Sequence, residues 1–227
     1  MSKVILFDID GTLILSGGAG MRALNRACEE ITGFCDALAE VPVAGRTDRI
    51  ILYDAMRKAG RELDEDLLSA LRTRYVQLLQ EEIQFPGRGV KAILPGVREL
   101  LDVLAARDDV FLGLVTGNFE EGARIKLEYF DLWRYFRCGA YGDDSADRNE
   151  LVPVAWRRAL ERGLNAVHVD NTFVVGDTPH DIACARAAGA IPIGVATGNY
   201  TVEEIKASGA DVVFRDLSDP ASFLALL

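Results

Sequence analysis

Asp8 and Asp10 stand two residues apart in Asp8-Ile9-Asp10-Gly11-Thr12, directly after the apolar run Val4-Ile5-Leu6-Phe7. A β-rich run that ends in acids delivers both carboxylates at a strand's carboxyl end, where open α/β sheets bind ligands. Two ionised carboxylates about 5 Å apart repel by about 3 kcal/mol at an effective dielectric near 20. The pair therefore implies a bound cation or a shared proton, and Gly11 permits a tight backbone path whose amides can face an anion. A second such run ends in Gly176-Asp177-Thr178-Pro179-His180-Asp181. Asp177 falls at the positive end of the next helix, which favours its charged form and suits a hard divalent cation. Asp181 also has an ordinary explanation, because Thr178 as N-cap, Pro179 at the first helical position and Asp181 beyond it satisfy a helix start. A third run, Phe111 to Val115, ends in Thr116-Gly117-Asn118, whose hydroxyl and consecutive amides form a ready oxyanion cradle, the alternative being a plain N-capped turn. Arg148, in Asp147-Arg148-Asn149-Glu150, is the best candidate for the fixed positive charge, since a guanidinium can bind a phosphate oxygen while pairing with a carboxylate, the alternative being a solvated surface arginine. Arg157 and Arg158 read as solvated, and His168 and His180 have no metal-ligand or triad spacing.

The elements that must position these groups are legible as alternating patterns. Short β-rich runs at Val4–Phe7, Phe111–Val115, Thr172–Val175, Ile191–Val195 and Asp211–Phe214 recur before loops and helical stretches, which predicts a parallel sheet with crossover helices. Asn118 with Glu121, Thr201 with Glu204, and Asp219 before Pro220 mark helix starts, while Gly163, Gly189 and Gly209 mark ends. From about Gly20 to Phe85 there are three amphipathic patterns and no convincing strand. They fall on Met21, Leu24, Cys28 and Ile31, on Ile51, Ala55 and Met56, and on Leu67 through Leu79. Glycine-rich connections, Ser16-Gly17-Gly18-Ala19-Gly20 before and Pro86-Gly87-Arg88-Gly89 after, suit a hinged lid. The expected fold is α/β, a Rossmann-like parallel sheet with helices on both faces, formed by residues 1–15 and 90–227, with an all-α cap inserted at 16–89.

Composition narrows the function classes. The 227 residues are 49% hydrophobic and 26% charged, an ordinary globular balance, and no apolar run approaches membrane-spanning length. A net charge of −10 repels nucleic acid and anionic membranes, so an anionic substrate needs positive charge gathered inside one site. Cys28, Cys35, Cys138 and Cys184 form no CxxC pair and read as small buried hydrophobes. With no apolar leader after Met1-Ser2-Lys3, the expected location is the cytoplasm.

Asp8-x-Asp10-Gly11-Thr12, then Thr116-Gly117-Asn118, then a basic residue, then Gly176-Asp177 with Asp181, resembles the haloacid dehalogenase superfamily across nearly the whole chain. The second aspartate, Asp10, implies the phosphatase branch, and the helical insertion resembles the cap of phosphoglycolate phosphatase-like and β-phosphoglucomutase-like proteins. The resemblance implies Asp8 as nucleophile and Mg²⁺ ligand, and Asp10 as general acid/base whose backbone carbonyl also binds the metal. It implies Asp177 as a further ligand, Thr116, Gly117, Asn118 and Arg148 as the phosphoryl site, and Asp181 as a support. The family's third motif is usually lysine; Arg148 keeps the charge and changes the geometry. The cap turn Gly45-Arg46-Thr47-Asp48 resembles a substrate-facing loop, with Arg46 placed for a second anionic group, although Thr47 or Asp48 as a helix cap explains it equally well.

The expected activity is Mg²⁺-dependent hydrolysis of a small phosphomonoester, phosphoglycolate-like, through an aspartyl-phosphate. A phosphosugar mutase shares every core motif. A phosphonate hydrolase requires a Schiff-base lysine in the insertion, where Lys58, the one lysine between Ser16 and Pro86, reads better as a helix-end cation. A receiver-like signalling domain predicts a shorter chain without an insertion. A dinucleotide-binding reading of Gly18-Ala19-Gly20-Met21-Arg22-Ala23 fails because the glycines do not follow the strand directly.

Overall fold

In the computed structural model, which describes residues 2–87 and 89–227, the first apolar run forms β1 (Lys3–Phe7). Its side chains Val4 to Phe7 are all buried, the continuous pattern of a strand covered on both faces. A short strand β2 (Ile14–Ser16) follows, then helices α1 (Ala19–Thr32), α2 (Asp48–Lys58) and α3 (Glu65–Glu82), and β3 (Lys91–Ile93) pairs antiparallel with β2. The helical segment thus leaves and returns through a two-stranded ribbon. Next come α4 (Val97–Ala105), β4 (Val110–Val115), α5 (Glu120–Tyr129), β5 (Cys138–Ala140), α6 (Leu151–Glu161), β6 (Thr172–Gly176) and α7 (Pro179–Ala187). The chain closes with β7 (Ile191–Val195), α8 (Val202–Ala207), β8 (Val212–Phe214) and α9 (Pro220–Leu224).

The main sheet is parallel with order β5-β4-β1-β6-β7-β8. From β1 the chain builds outward through β4 and β5, then crosses to the other side of β1 for β6. The carboxyl ends of β4, β1 and β6 therefore flank the topological switch point, where such sheets open a crevice. Two apolar clusters cover the faces of the sheet, one around Ile5, Phe7 and Leu101 and one around Leu6, Val174 and Ala155. A third joins α1, α2 and α3 through Leu24, Leu52, Leu71, Tyr75 and Leu78. From outside the insertion it takes the buried Phe119, whose ring meets Tyr75 edge-on at 6.1 Å between centroids, with the partly buried Ile125 packed against it.

The five expected strands and three insertion helices form within three residues of their patterns. The ribbon β2/β3 and β5 were not expected: each is three residues long, and Cys138-Gly139-Ala140 has no branched or aromatic side chain to mark it. Thr201/Glu204 forms a reciprocal capping box, and Asp219 caps α9. Arg88, within the expected second hinge, and Met1 lie outside the described residues.

Candidate active site

The peptide ladder carries Asp8 past the end of β1, because its N–H still donates to the Val175 carbonyl at 2.9 Å. Its carboxylate emerges beside those of Asp177, just beyond β6, and Asp181, in the first turn of α7. One oxygen from each lies within 4.8 Å of the others, and all three residues are buried. Facing them is Arg148, in a 3-10 turn at Arg148–Glu150. Its Nη2 donates to Asp8 Oδ1 at 2.8 Å and to Asp181 Oδ1, and its Nη1 donates to the Gly45 carbonyl at 3.1 Å. Asp181 also closes a capping box with Thr178, so its structural and electrostatic roles coexist.

Burial pushes the Asp8 carboxyl up to about 6; Arg148 pulls the other way and Asp181 adds to the rise. Asp177 is raised as well, by burial first and then by Asp181 and Asp8, against the Thr12 hydroxyl that donates to it at 3.0 Å. Burial alone would lower the Arg148 pKa, yet Asp181 and Asp8 together hold it above its ordinary value. Three ionised acids against one guanidinium leave two negative charges in a buried space, and an all-oxygen, excess-negative donor set of this kind fits a hard divalent cation. The fit is tight around Asp177, since a Cβ on Gly11 or on Gly198 would collide with its carboxylate, and Gly11 also holds φ at +85°.

The Asp10 carboxylate faces elsewhere. Its Oδ2 accepts from Asn118 Nδ2 at 2.9 Å and from Lys126 Nζ at 2.6 Å; Lys126 also donates to Asn118 Oδ1 at 2.6 Å, and Asn118 Nδ2 to Thr116 Oγ1 at 2.8 Å. Two expectations change here. Asn118 is not the N-cap of α5, which begins at Glu120; the amides of Phe119 and Glu120 are accepted by the distant carboxylates of Asp48 (2.9 Å) and Asp143 (2.6 Å). That frees the Asn118 side chain for Asp10. The Thr116 amide is also not a cradle donor, because it continues the sheet to the Ala140 carbonyl at 3.0 Å. Lys126 was missed. Its signal is a lysine on the buried face of α5, with Ala123 and Leu127, where an apolar residue belongs.

The cap turn lies against these loops. Thr47 caps α2 through the Ile50 amide and donates to the Ala146 carbonyl at 2.9 Å, while the Asp48 amide donates to the Gly117 carbonyl at 2.7 Å. Gly117 allows this approach, for a Cβ there would strike the Arg46 carbonyl. The Arg46 guanidinium turns back into the cap, to Asp54 Oδ2 at 2.6 Å and the Pro42 carbonyl at 2.9 Å. Burial pushes the Asp48 carboxyl up to about 6. His180 packs beneath Gly45. Between the helical insertion and the main sheet's loops lies a cavity of about 460 Å³ lined by Asp8, Asp10, Thr116, Lys126, Arg148 and Asp177, among others.

The shifted acids set a pH signature for metal binding. In the folded, metal-free chain Asp8 and Asp48 take up protons as pH falls through about 6, whereas in the unfolded chain they wait until roughly pH 4. The folded state binds more protons in that window, so the metal-free protein is expected to gain stability as pH drops from 7 toward 5. A divalent cation relieves the same charge and competes with those protons. Thermal unfolding should rise by roughly 5–10 °C with Mg²⁺ at about a hundred times its Kd, pH 7.5, and by much less at pH 5. An equal shift at both pH values would contradict this account.

A buried aspartate at a strand end, a facing guanidinium, a second acid hydrogen-bonded nearby and a helical insertion beside the switch point define a protein of the α/β class whose site suits an anionic ligand. A family model for haloacid dehalogenase-like hydrolases matches residues 2–189, and the chain belongs to this family. It is a phosphoric monoester hydrolase. It is 32% identical to a phosphoglycolate phosphatase of Rhodospirillum rubrum, over 99% of this chain and 91% of that protein. Two solved structures share the fold. One, described as a predicted phosphoglycolate phosphatase from Haemophilus somnus, has a TM-score of 0.71 and 24% identity, covering 98% of each chain. The other, CbbY from Rhodobacter sphaeroides in complex with phosphate, has a TM-score of 0.70 and 22% identity, covering 96% of each chain. No helix among the described residues is long and apolar enough to cross a membrane.

Proposed function

We propose that this chain is a Mg²⁺-dependent phosphatase that hydrolyses a small phosphomonoester of the phosphoglycolate type through an aspartyl-phosphate, with residues 16–89 acting as its cap. The observation that carries the reading is the buried Asp8 carboxylate, held by Arg148 and clustered with Asp177 and Asp181 under the cap. One Asp8 oxygen attacks phosphorus as the bond to the leaving oxygen breaks, and protonated Asp10 gives that oxygen its proton. Asp10, now a carboxylate, takes a proton from the water that attacks the acyl phosphate, releasing phosphate and restoring Asp8. Thr116 and the Gly117 and Asn118 segment border the phosphoryl group, and Arg148 offsets its charge; the Arg148 Nε, buried and without a partner among the described residues, is a spare donor. Asp8, Asp177 and the Asp10 backbone carbonyl would hold Mg²⁺, with Asp181 in support, and the ion would neutralise charge on the transferring group. Arg46 borders the substrate from the cap; Thr47, expected beside it, is buried, committed to the Ile50 amide and the Ala146 carbonyl, and is not among the residues lining the cavity. Four free cysteines suit a reducing compartment such as the cytoplasm.

Phosphate release from a panel of small organophosphates, including 2-phosphoglycolate and hexose phosphates, with Mg²⁺ or EDTA, tests the reading. Sustained, Mg²⁺-dependent release without added bisphosphate is expected. A phosphosugar product without free phosphate would instead mark a mutase.

A further inference from the structure

Among the described residues three cations line the cavity, and two are committed. Arg148 is shared between Asp8 and Asp181, and Arg46 is turned to Asp54 within the cap. Lys126 differs. Its Nζ is bound by Asp10 Oδ2 and Asn118 Oδ1, two acceptors for an ammonium with three donors. Its side chain is only 6% exposed, while that of its partner Asp10 is 41% exposed. Gly20, another lining residue, packs directly against it: a Cβ there would sit 3.1 Å from Nζ, closer than side chains ordinarily pack. The Tyr75 hydroxyl, buried and without a hydrogen-bond partner among the described residues, borders the same space, 3.9 Å from that position. Lys126 thus lies on the cavity wall, beside a residue with no side chain, at a place where hydrogen-bonding capacity is unspent.

The position of Lys126 relative to the reaction follows from Asp10. On the proposed reading, on which this inference rests, Asp10 meets the leaving oxygen, so an ammonium 2.6 Å from Asp10 lies on the leaving-group side and away from the Asp8 cluster. In a phosphorylated 2-hydroxy acid the carboxylate is attached to the carbon that bears the ester oxygen, and its oxygens lie about 3 Å from that oxygen, one hydrogen-bond length. A leaving oxygen within reach of Asp10 places such a carboxylate within reach of Nζ.

We propose that Lys126 is a specificity-determining residue that binds the carboxylate of the leaving group, so that the enzyme selects phosphorylated hydroxy acids over neutral phosphomonoesters of the same size. The neutral Lys126→Met variant keeps the aliphatic stem and loses the charge. The probes are 2-phosphoglycolate and 2-hydroxyethyl phosphate, which differ only in carrying a carboxylate or a hydroxymethyl group. Wild type is expected to favour the former in kcat/KM by about 10- to 100-fold, the range of one charge-assisted hydrogen bond. In Lys126→Met that preference should collapse to within about threefold, mainly through KM for 2-phosphoglycolate, with Lys126→Arg retaining part of it. The neutral ester reports a folded, competent site.

Equal preference in wild type, or an equal loss of both substrates in Lys126→Met, would overturn the proposal, the latter marking Lys126 as a support for Asp10 alone. If Lys126→Met does not fold, the wild-type ratio and Lys126→Arg decide. Failure of wild type to hydrolyse either ester would instead remove the phosphatase reading on which the inference stands.

Discussion

Asp8→Asn is expected to lower kcat for phosphate release by roughly 10⁴-fold or more, because it removes the oxygen that takes up the phosphoryl group and leaves only binding and charge stabilisation. The substitution is nearly isosteric and keeps an oxygen that can accept from Arg148. It also relieves repulsion with Asp177 and Asp181, which already hold one another's charge in a buried space. The melting temperature of the metal-free variant should therefore match or exceed that of wild type above pH 6. Loss of activity without loss of fold is the combined result to look for. Acid-quenched reactions with labelled substrate should show a hydroxylamine-sensitive phosphoprotein in wild type and none in the variant. Turnover within tenfold of wild type would remove Asp8 as the nucleophile.

The second large effect concerns stability. Arg148→Met deletes the guanidinium that faces Asp8 and Asp181, leaving buried carboxylates without their counter-charge. Breaking a buried ion pair from one side costs about 3–5 kcal/mol, which for a chain of this size is a fall of roughly 6–20 °C in melting temperature. Mg²⁺ should restore part of the loss at pH 7.5, since it answers the same excess of negative charge. Adding Asp181→Asn to Arg148→Met should recover a further part, and full additivity of the two changes would show that the residues do not interact. Phosphatase activity should fall with Arg148→Met at any temperature at which the variant is folded.

The strand-end acids were legible because local sequence decides both their chemistry and their placement. A continuous apolar run makes a buried strand, and the residue that ends it must surface at the sheet's rim, as Asp8 and Asp177 do. The insertion helices were legible through their apolar stripes, and the capping boxes through residues three apart. What could not be read depends on distance in sequence. Asn118 looked like a helix cap, and nothing local announces that Asp48, seventy-one residues away, takes over the Phe119 amide. Lys126 carries a local sign, a charge within a buried face, but its meaning appears only when Asp10 arrives beside it. The β2/β3 ribbon escaped because three paired residues on each strand are too few to set a period. Arg46 shows the converse: its sequence neighbourhood offers a free cation, and the fold supplies Asp54, nearly two helical turns into α2.

The bond from Arg148 to the Gly45 carbonyl ties the chemistry to the traffic of molecules. The guanidinium that steadies Asp8 also fastens the turn above it, so any parting wide enough to admit a reactant separates that fastening. On the reading proposed above, with residues 16–89 as a cap that parts from the core, each turnover would undo and remake a contact of the reaction centre itself. Readiness to react and confinement of the reactant would then come together, and an unshut enzyme would be spared idle exposure of a fully assembled centre to bulk solvent.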